Sequence, residues 1–413
     1  MTTSAPQALK ARHDRTLVIV STHGSLRNWA EKRLYEPLVG THNIELIFWD
    51  RTNIIGPPGW AEAERYSLGC HAYEGGPWGM KELFRYFGYI MRELDAIHAA
   101  KGLDVVVACD TDVMPGIVWH RIRRGLKYRI FREEVDYYAG SRHRGKRLKA
   151  RFMRWVFDSI EALLHTQADV IFTLNRYAAK RITSWGIPAS KVKVTGLWKA
   201  DEFYAEDHEA WKVKLRDEGA LTPAQFDQLK GKVVISFLGF FYEFTHLREL
   251  LEAVEQFPND FALILAGRGK DQPVVEEFAR RCPNIMFLGW KQETELQALY
   301  KITDIVYQPL DPEENINWRY FGSTNKTFET LAAGCMFIGS AINERIDLNN
   351  EADYAIMIDF KRDVRTQIEE VFRAIVKDRT ELTRRQANSR KLYGRYNYQE
   401  HAKRWRAMVD GTA

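Results

Sequence analysis

Two rhythms alternate along the chain. Short β-branched runs bounded by polar or glycine residues read as buried strands, and longer stretches with apolar residues three and four apart read as amphipathic helices. A first series of strands is predicted at residues 16–21, 44–49, 104–109, 127–131, 168–173 and 191–195. A second is predicted at 232–239, 261–266, 285–289 and 304–309. Helices fall between them, one at 81–97 that mixes aromatic and basic residues and one that begins at Lys326. Residues 51–79 are rich in Gly, Pro and aromatics and read as a long loop or short irregular pieces. Strands and helices alternating at this spacing predict an α/β fold of two Rossmann-like, doubly wound domains, each binding its ligand at the carboxyl ends of its strands.

The length of 413 residues fits two such domains. The expected division is residues 1–195, a charged and helix-prone linker at 196–230, a second domain at 231–385, and a C-terminal helix within 386–413. No run of about 18 apolar residues is present, so no spanning helix is predicted. The first residues are polar and lack the apolar core of a secretion signal. Cys70, Cys109, Cys282 and Cys335 are scattered, which fits reduced thiols in the cytoplasm.

Charge is divided unevenly. Residues 1–200 hold 31 Lys and Arg against 20 Asp and Glu, while the remainder holds 29 against 35. The basic half points to an anionic partner. Its densest run, residues 141–154, has seven Lys or Arg among fourteen residues and none acidic, and it leads into a stretch with Trp155, Phe157 and Leu163. A basic, aromatic, amphipathic segment is the composition of a membrane-surface helix. No nucleic-acid-binding motif accompanies it, so nucleic acid is not an expected partner.

The most informative stretch is Asn325-Lys-Thr-Phe-Glu-Thr-Leu-Ala-Ala-Gly334, preceded by Gly322, Ser323 and Thr324. A helix start offers unpaired N–H groups and a partial positive charge to a phosphate, and Lys326 adds a full charge at the same end. Glu329, one turn on, is spaced to accept hydrogen bonds from ribose hydroxyls. Gly239, Arg268, Trp290 and Lys326 are all expected at the carboxyl edge of the second sheet. In the first domain, Gly24 and Ser25 occupy the turn after the first strand, where the absence of G-x-G-x-x-G argues against a dinucleotide-dependent dehydrogenase. Glu133, Glu134 and Asp136 follow the 127–131 strand, as carboxylates of the site or as charges balancing the nearby arginines.

These motifs resemble those of GT-B glycosyltransferases, in particular the retaining, nucleotide-sugar-dependent family 4. Many members carry an Asn-Lys-x-Phe-Glu-x-x-Ala-x-Gly segment. The order of elements matches from about residue 16 to 359, and the match is specific only from Gly239 to Gly339. The resemblance implies two Rossmann-like domains facing across a cleft, with the last helix often returning to the first domain. It further implies transfer of a sugar from a UDP- or GDP-sugar to a glycan or lipid-linked acceptor, without a bound metal or cofactor, in polysaccharide or glycolipid biosynthesis. On that basis the donor would contact Gly24, Gly239, Phe240, Arg268, Trp290, Thr324, Asn325, Lys326, Thr327 and Glu329. Arg268 and Lys326 would stabilise the departing diphosphate, and Glu134 or Asp136 would serve the acceptor hydroxyl. A cytoplasmic enzyme peripheral to the inner face of the membrane is the expected setting. Two departures stand out: Phe321 replaces an acidic residue eight positions before Glu329, and Phe240 and Thr245 stand where many members carry Arg and Lys. They keep open a non-catalytic glycan-assembly partner, and a nucleotide-sugar hydrolase or epimerase on the same fold is the other alternative.

Overall fold

The structure is a computed structural model that describes residues 14–22, 33–50, 66–137, 139, 148–196, 199, 201–242, 245–311, 318, 320 and 325–412. The chain divides into two compact units, Met1–Thr195 with Ala402–Ala413, and Gly196–His401.

The first unit is a seven-stranded, all-parallel sheet in the order β3-β2-β1-β4-β5-β6-β7. Its strands are β1 (Thr16–Ser21), β2 (Asn43–Asp50), β3 (Gly69–Glu74), β4 (Val105–Ala108), β5 (Arg129–Glu134), β6 (Val170–Thr173) and β7 (Val192–Val194). The helices between them are α1 (Met80–Lys101), α2 (Met114–Arg124), α3 (Leu148–Thr166) and α4 (Arg176–Ser184). Val18, Val20, Val106 and Ile130 face the cluster formed with α1 and α2. Leu17, Ile19, Val105, Val107 and Phe131 face the opposite cluster, which contains Trp405, Met408 and Val409. Trp405 is fully buried against Phe131 and Phe172, and its indole donates to the Leu34 carbonyl at 2.7 Å.

Strand β3 lies inside the stretch expected to be loop. Among the described residues it is an edge strand, paired with β2 and half-buried, so its sequence Gly-Cys-His-Ala-Tyr-Glu needs no apolar run. The carboxylate of Glu45 in β2 is buried against it, bonded to His71 at 2.9 Å and to Lys101. Strand β5 also runs further than its apolar residues imply, and Glu133 and Glu134 are the last residues described in it.

The second unit is a six-stranded parallel sheet in the order β10-β9-β8-β11-β12-β13. Residues 196–230, read as a linker, group with this unit and carry α5 (His208–Asp217) and α6 (Pro223–Leu229), which bury Leu215, Phe226 and Leu229. The sheet consists of β8 (Val233–Phe241), β9 (Phe261–Gly269), β10 (Ile285–Phe287), β11 (Ile305–Gln308), β12 (Met336–Ser340) and β13 (Ala355–Ile358). Its helices are α7 (Leu247–Glu255), α8 (Gln272–Arg281), α9 (Glu293–Tyr300), α10 (Asn325–Ala333), α11 (Asn343–Ala352), α12 (Val364–Lys377) and α13 (Thr380–Tyr393). The C-terminal region is two helices rather than one, because α13 ends at Gly394 and α14 (Tyr398–Asp410) follows. Both sheets reverse strand order between their first and fourth strands, creating the switch point where open α/β sheets bind ligands.

One buried ion network ties α3 to the first sheet. Glu134 is fully buried and bonds to His165 and, at 2.7 Å, to Arg181. Arg181 also reaches Glu161 at 3.2 Å, and Glu161 accepts from Thr111 at 2.8 Å. Burial pushes the Glu134 carboxyl up, but the His165 and Arg181 charges outweigh burial and hold it well below its usual range. Burial and the neighbouring Glu134 charge push Glu161 the other way, up to about 7. A carboxyl whose pKa is raised by folding binds more protons in the native state, so stability falls as pH rises from its ordinary 4.5 through about 7. Glu161→Gln keeps the shape without the charge. Thermal unfolding across that window is expected to show a smaller loss of stability with rising pH in this variant than in the wild type; equal slopes would show that Glu161 contributes nothing.

Candidate functional site

At the carboxyl edge of the second sheet, strand register sets the site. Strands β8 and β9 pair Gly239 with Gly267 and Phe240 with Arg268. Gly239 has φ +151°, and a Cβ on Gly267 would fall 1.7 Å from the Gly239 carbonyl oxygen, so both positions require glycine. The pairing continues to Phe241 and Gly269, and exposed side chains stand at this end of the strands. Phe240 and Trp290 are about half exposed, with ring centroids 5.3 Å apart. The Arg268 guanidinium lies 4.5 Å from the Trp290 ring and 5.7 Å from that of Phe240. The pairing holds a cation and two flat apolar faces at one edge.

Helix α10 starts at the switch point between β8 and β11. From Thr327 to Ala333 every residue is buried, and the Arg390 side chain of α13 donates to the Ala332 carbonyl at 2.7 Å. A Cβ on Gly239 would lie 3.8 Å from Lys326 Cε, which places that lysine beside the end of β8. Its Nζ donates to Glu329 Oε2 at 2.8 Å. The same oxygen accepts from Tyr300 Oη at 2.7 Å, and Glu329 Oε1 lies 3.3 Å from Lys199 Nζ.

Glu329 and Lys199 are both buried. Burial alone would raise the Glu329 carboxyl, but Lys326 and Lys199 reverse that and hold it at about 2. Burial and the Glu329 charge push the Tyr300 phenol well above its ordinary value, keeping it a donor. Two lysines around one carboxylate leave a surplus positive charge. With Arg268 at the same strand edge, the arrangement suits an anionic ligand carrying a flat ring.

The structure thus brings together Gly239, Phe240, Arg268, Trp290, Lys326 and Glu329 in the second unit. Asn325 is exposed at the start of α10. Thr327, expected to contact the donor, is fully buried and accepts from Arg345 Nε at 3.2 Å, because its side chain points into the core. Gly24 and Thr324 lie outside the described residues. Glu134, expected beside the acceptor, has both oxygens engaged inside the first unit's ion network. Its neighbour Glu133 is buried and paired with Arg33. Asp136, two residues beyond β5, is exposed.

Lys199 and Tyr300 were not anticipated. Neither belongs to a motif, and only tertiary pairing with Glu329 identifies them. Among the described residues no cluster of three or more His, Cys, Asp or Glu is arranged to hold a metal. A cavity of about 620 Å³ lies at the opposite edge of the second sheet, lined by His208, Lys232, Asp304, Gln386 and Arg390. Its position at the amino ends of β8 and β11 sets it apart from the edge where such sheets bind ligands.

Two open parallel sheets, with a phosphate-suited helix at the switch point of the second, define a GT-B architecture. A model described as "Glycosyl transferase 4-like domain" matches residues 35–198, and one described as "Glycosyl transferases group 1" matches residues 232–374. Anabaena Alr3699/HepE, solved in complex with UDP, superposes with a TM-score of 0.69 at 10% identity, covering 96% of this chain and 100% of that one. Sucrose-phosphate synthase from Thermosynechococcus elongatus has a TM-score of 0.69 at 14% identity, over 96% and 99% of the two chains. A glycosyltransferase from Rickettsia africae has a TM-score of 0.67 at 10% identity, over 97% and 99%. No curated protein matches by sequence. The chain is a GT-B glycosyltransferase of the family 4-like type.

Lys199→Met removes one cation from a buried carboxylate, and is expected to cost about 1–3 kcal/mol of folding stability. Adding Glu329→Gln to that variant should return part of the loss. Urea-unfolding midpoints of the four proteins in the cycle measure both effects; an unchanged midpoint for Lys199→Met would show that the pair is not stabilising.

Proposed function

We propose that this glycosyltransferase moves a sugar from a UDP- or GDP-sugar to a glycan or lipid-linked acceptor at a membrane surface. The single observation carrying the donor half is the grouping of Arg268, Trp290, Lys326 and Glu329 at the carboxyl edge of the second sheet. In this reading the nucleobase stacks on Trp290, the ribose hydroxyls bond to Glu329, and the diphosphate meets Lys326, Arg268 and the start of α10. Anabaena Alr3699/HepE was solved with UDP and with UDP-glucose, which supports a nucleotide-sugar donor here.

Cleavage of the anomeric C–O bond builds negative charge on the departing diphosphate. Lys326 and Arg268 supply fixed positive charge at that point, where a preorganised cation needs no reorganisation. For the acceptor hydroxyl, Asp136 is the proposed carboxylate, since Glu134 is fully engaged elsewhere. Retention of anomeric configuration and a place in polysaccharide or glycolipid assembly belong to the same proposal. The acceptor assignment draws on the basic run at 141–154.

A second reading, a non-catalytic partner in glycan assembly, is favoured by Phe240, which stands where many relatives carry a cation. Thermal-shift titration with UDP, GDP, ADP, dTDP and CMP separates the two. A diphosphate at about 100 times its dissociation constant should stabilise the fold by roughly 2.7 kcal/mol. Trp290→Ala, a change at an exposed side chain, is expected to weaken that ligand by about tenfold or more. Binding to none of the nucleotides would favour the non-catalytic partner.

The phosphate assignment has its own test. Arg268→Ala is expected to reduce affinity for the nucleoside diphosphate far more than for the matching nucleoside, measured by calorimetry. Equal losses would assign Arg268 to the base instead.

A further inference from the structure

Helix α3 is built the wrong way round for a surface helix. Its charged and polar residues Asp158, Glu161 and His165 turn inward to Tyr137, Arg181, Thr111 and Glu134. Its large apolar residues turn outward: Leu148 is 81% exposed, Phe152 60%, Trp155 64% and Leu163 66%. At 100° per residue these four fall within one narrow stripe, with Ile160 on its flank. Ser159 and Thr166 are the polar members of the stripe, and their hydroxyls donate back to the Trp155 carbonyl at 2.9 Å and the Leu163 carbonyl at 2.6 Å. Lys149 and Arg151, both exposed, stand on either side.

We infer that this outward face of α3 is an insertion surface for an anionic lipid bilayer, with Leu148, Phe152, Trp155 and Leu163 entering the acyl boundary. Lys149 and Arg151 meet the headgroups. The inference deepens the membrane part of the proposed function and rests on it, replacing a run of positive charge with a defined apolar face. Three features select a bilayer. Aromatic and aliphatic side chains in line, without a charge among them, fit the interior side of a lipid interface. Flanking cations without exposed acids on that face fit anionic headgroups. A second copy of this chain packed on the same face would bring Lys149 and Arg151 against their own copies.

The test uses the full chain and flotation with vesicles of phosphatidylcholine alone or with about one third phosphatidylglycerol. The wild type is expected to float with the anionic vesicles and to be released as salt rises. Phe152→Ser combined with Trp155→Ser, at two exposed positions, should reduce partitioning at least tenfold while leaving the melting temperature unchanged. Lys149→Gln with Arg151→Gln should reduce it on anionic vesicles only. Nucleotide binding measured on the same samples separates the two proposals: a wild type that floats without binding nucleotide sinks the donor reading and leaves this one standing. The inference is overturned if the wild type stays soluble with anionic vesicles at low salt, or if the apolar double variant floats like the wild type. It is equally overturned if size-exclusion chromatography shows a dimer that this variant breaks while vesicles bind neither protein.

Discussion

A carboxylate buried at the carboxyl end of a parallel sheet must be surrounded by cations, and each unit of this molecule meets that constraint with a buried cluster. An isolated buried charge would cost several kcal/mol. Glu134 ends β5 held by Arg181 and His165. Glu329 sits in α10 held by Lys326, Lys199 and Tyr300. Both carboxyls are pulled below their usual range, against burial. The two clusters nevertheless lead to opposite outcomes. The first is closed, with its partners matched and solvent excluded. The second keeps more positive charge than negative and lies beside an exposed ring.

The closed cluster has a consequence for the surface. Arg181 is sandwiched between Tyr137 at 3.9 Å and Trp185 at 4.3 Å, so its guanidinium cannot swing away to follow a moving partner. Glu161 and His165, which face the Glu134 and Arg181 group, fix which side of α3 is inside. With the inward side occupied by polar groups, Leu148, Phe152, Trp155 and Leu163 face solvent or an external partner. An ordinary amphipathic helix uses the hydrophobic effect to attach to its sheet. Here polar pairing and partial packing by Leu164 hold the helix, leaving a row of large apolar side chains uncovered.

Much of the architecture was legible because parallel strands buried on both faces are written as continuous β-branched runs, as in Val105–Ala108 and Ile305–Gln308. Strand β3 escaped this test because an edge strand is half solvated. Glu133 and Glu134 were read as beyond β5 because charged residues ordinarily end an apolar run, yet tertiary pairing with Arg33, Arg181 and His165 keeps them in the strand. On the ligand side, Gly239, Arg268, Trp290 and Lys326 were legible from their places after predicted strands and at a helix start. Thr327 shows the limit of that logic: a first-turn hydroxyl looked available to ligand, but Arg345 from another helix claims it. Lys199 was invisible for the complementary reason, since nothing local distinguishes it from any other lysine.

Lys199 also bears on the departures from the family pattern. Where many relatives place cations in the loop after the first strand of this domain, β8 ends in Phe240, and Thr245 donates its hydroxyl to the Tyr242 carbonyl at 2.6 Å. Charge is instead recruited from elsewhere in the same unit, from β9 as Arg268 and from the segment before α5 as Lys199. Lys199 is itself fixed, its carbonyl accepting from Tyr393 Oη at 2.7 Å and its backbone bridging to Asn397. A cation tethered by backbone pairing and buried beside a carboxylate is preorganised in a way that a loop side chain is not. Loss of the loop pair therefore does not by itself empty the edge of positive charge. It shifts the charge toward Glu329 and leaves the exposed rings of Phe240 and Trp290 to make the outer wall.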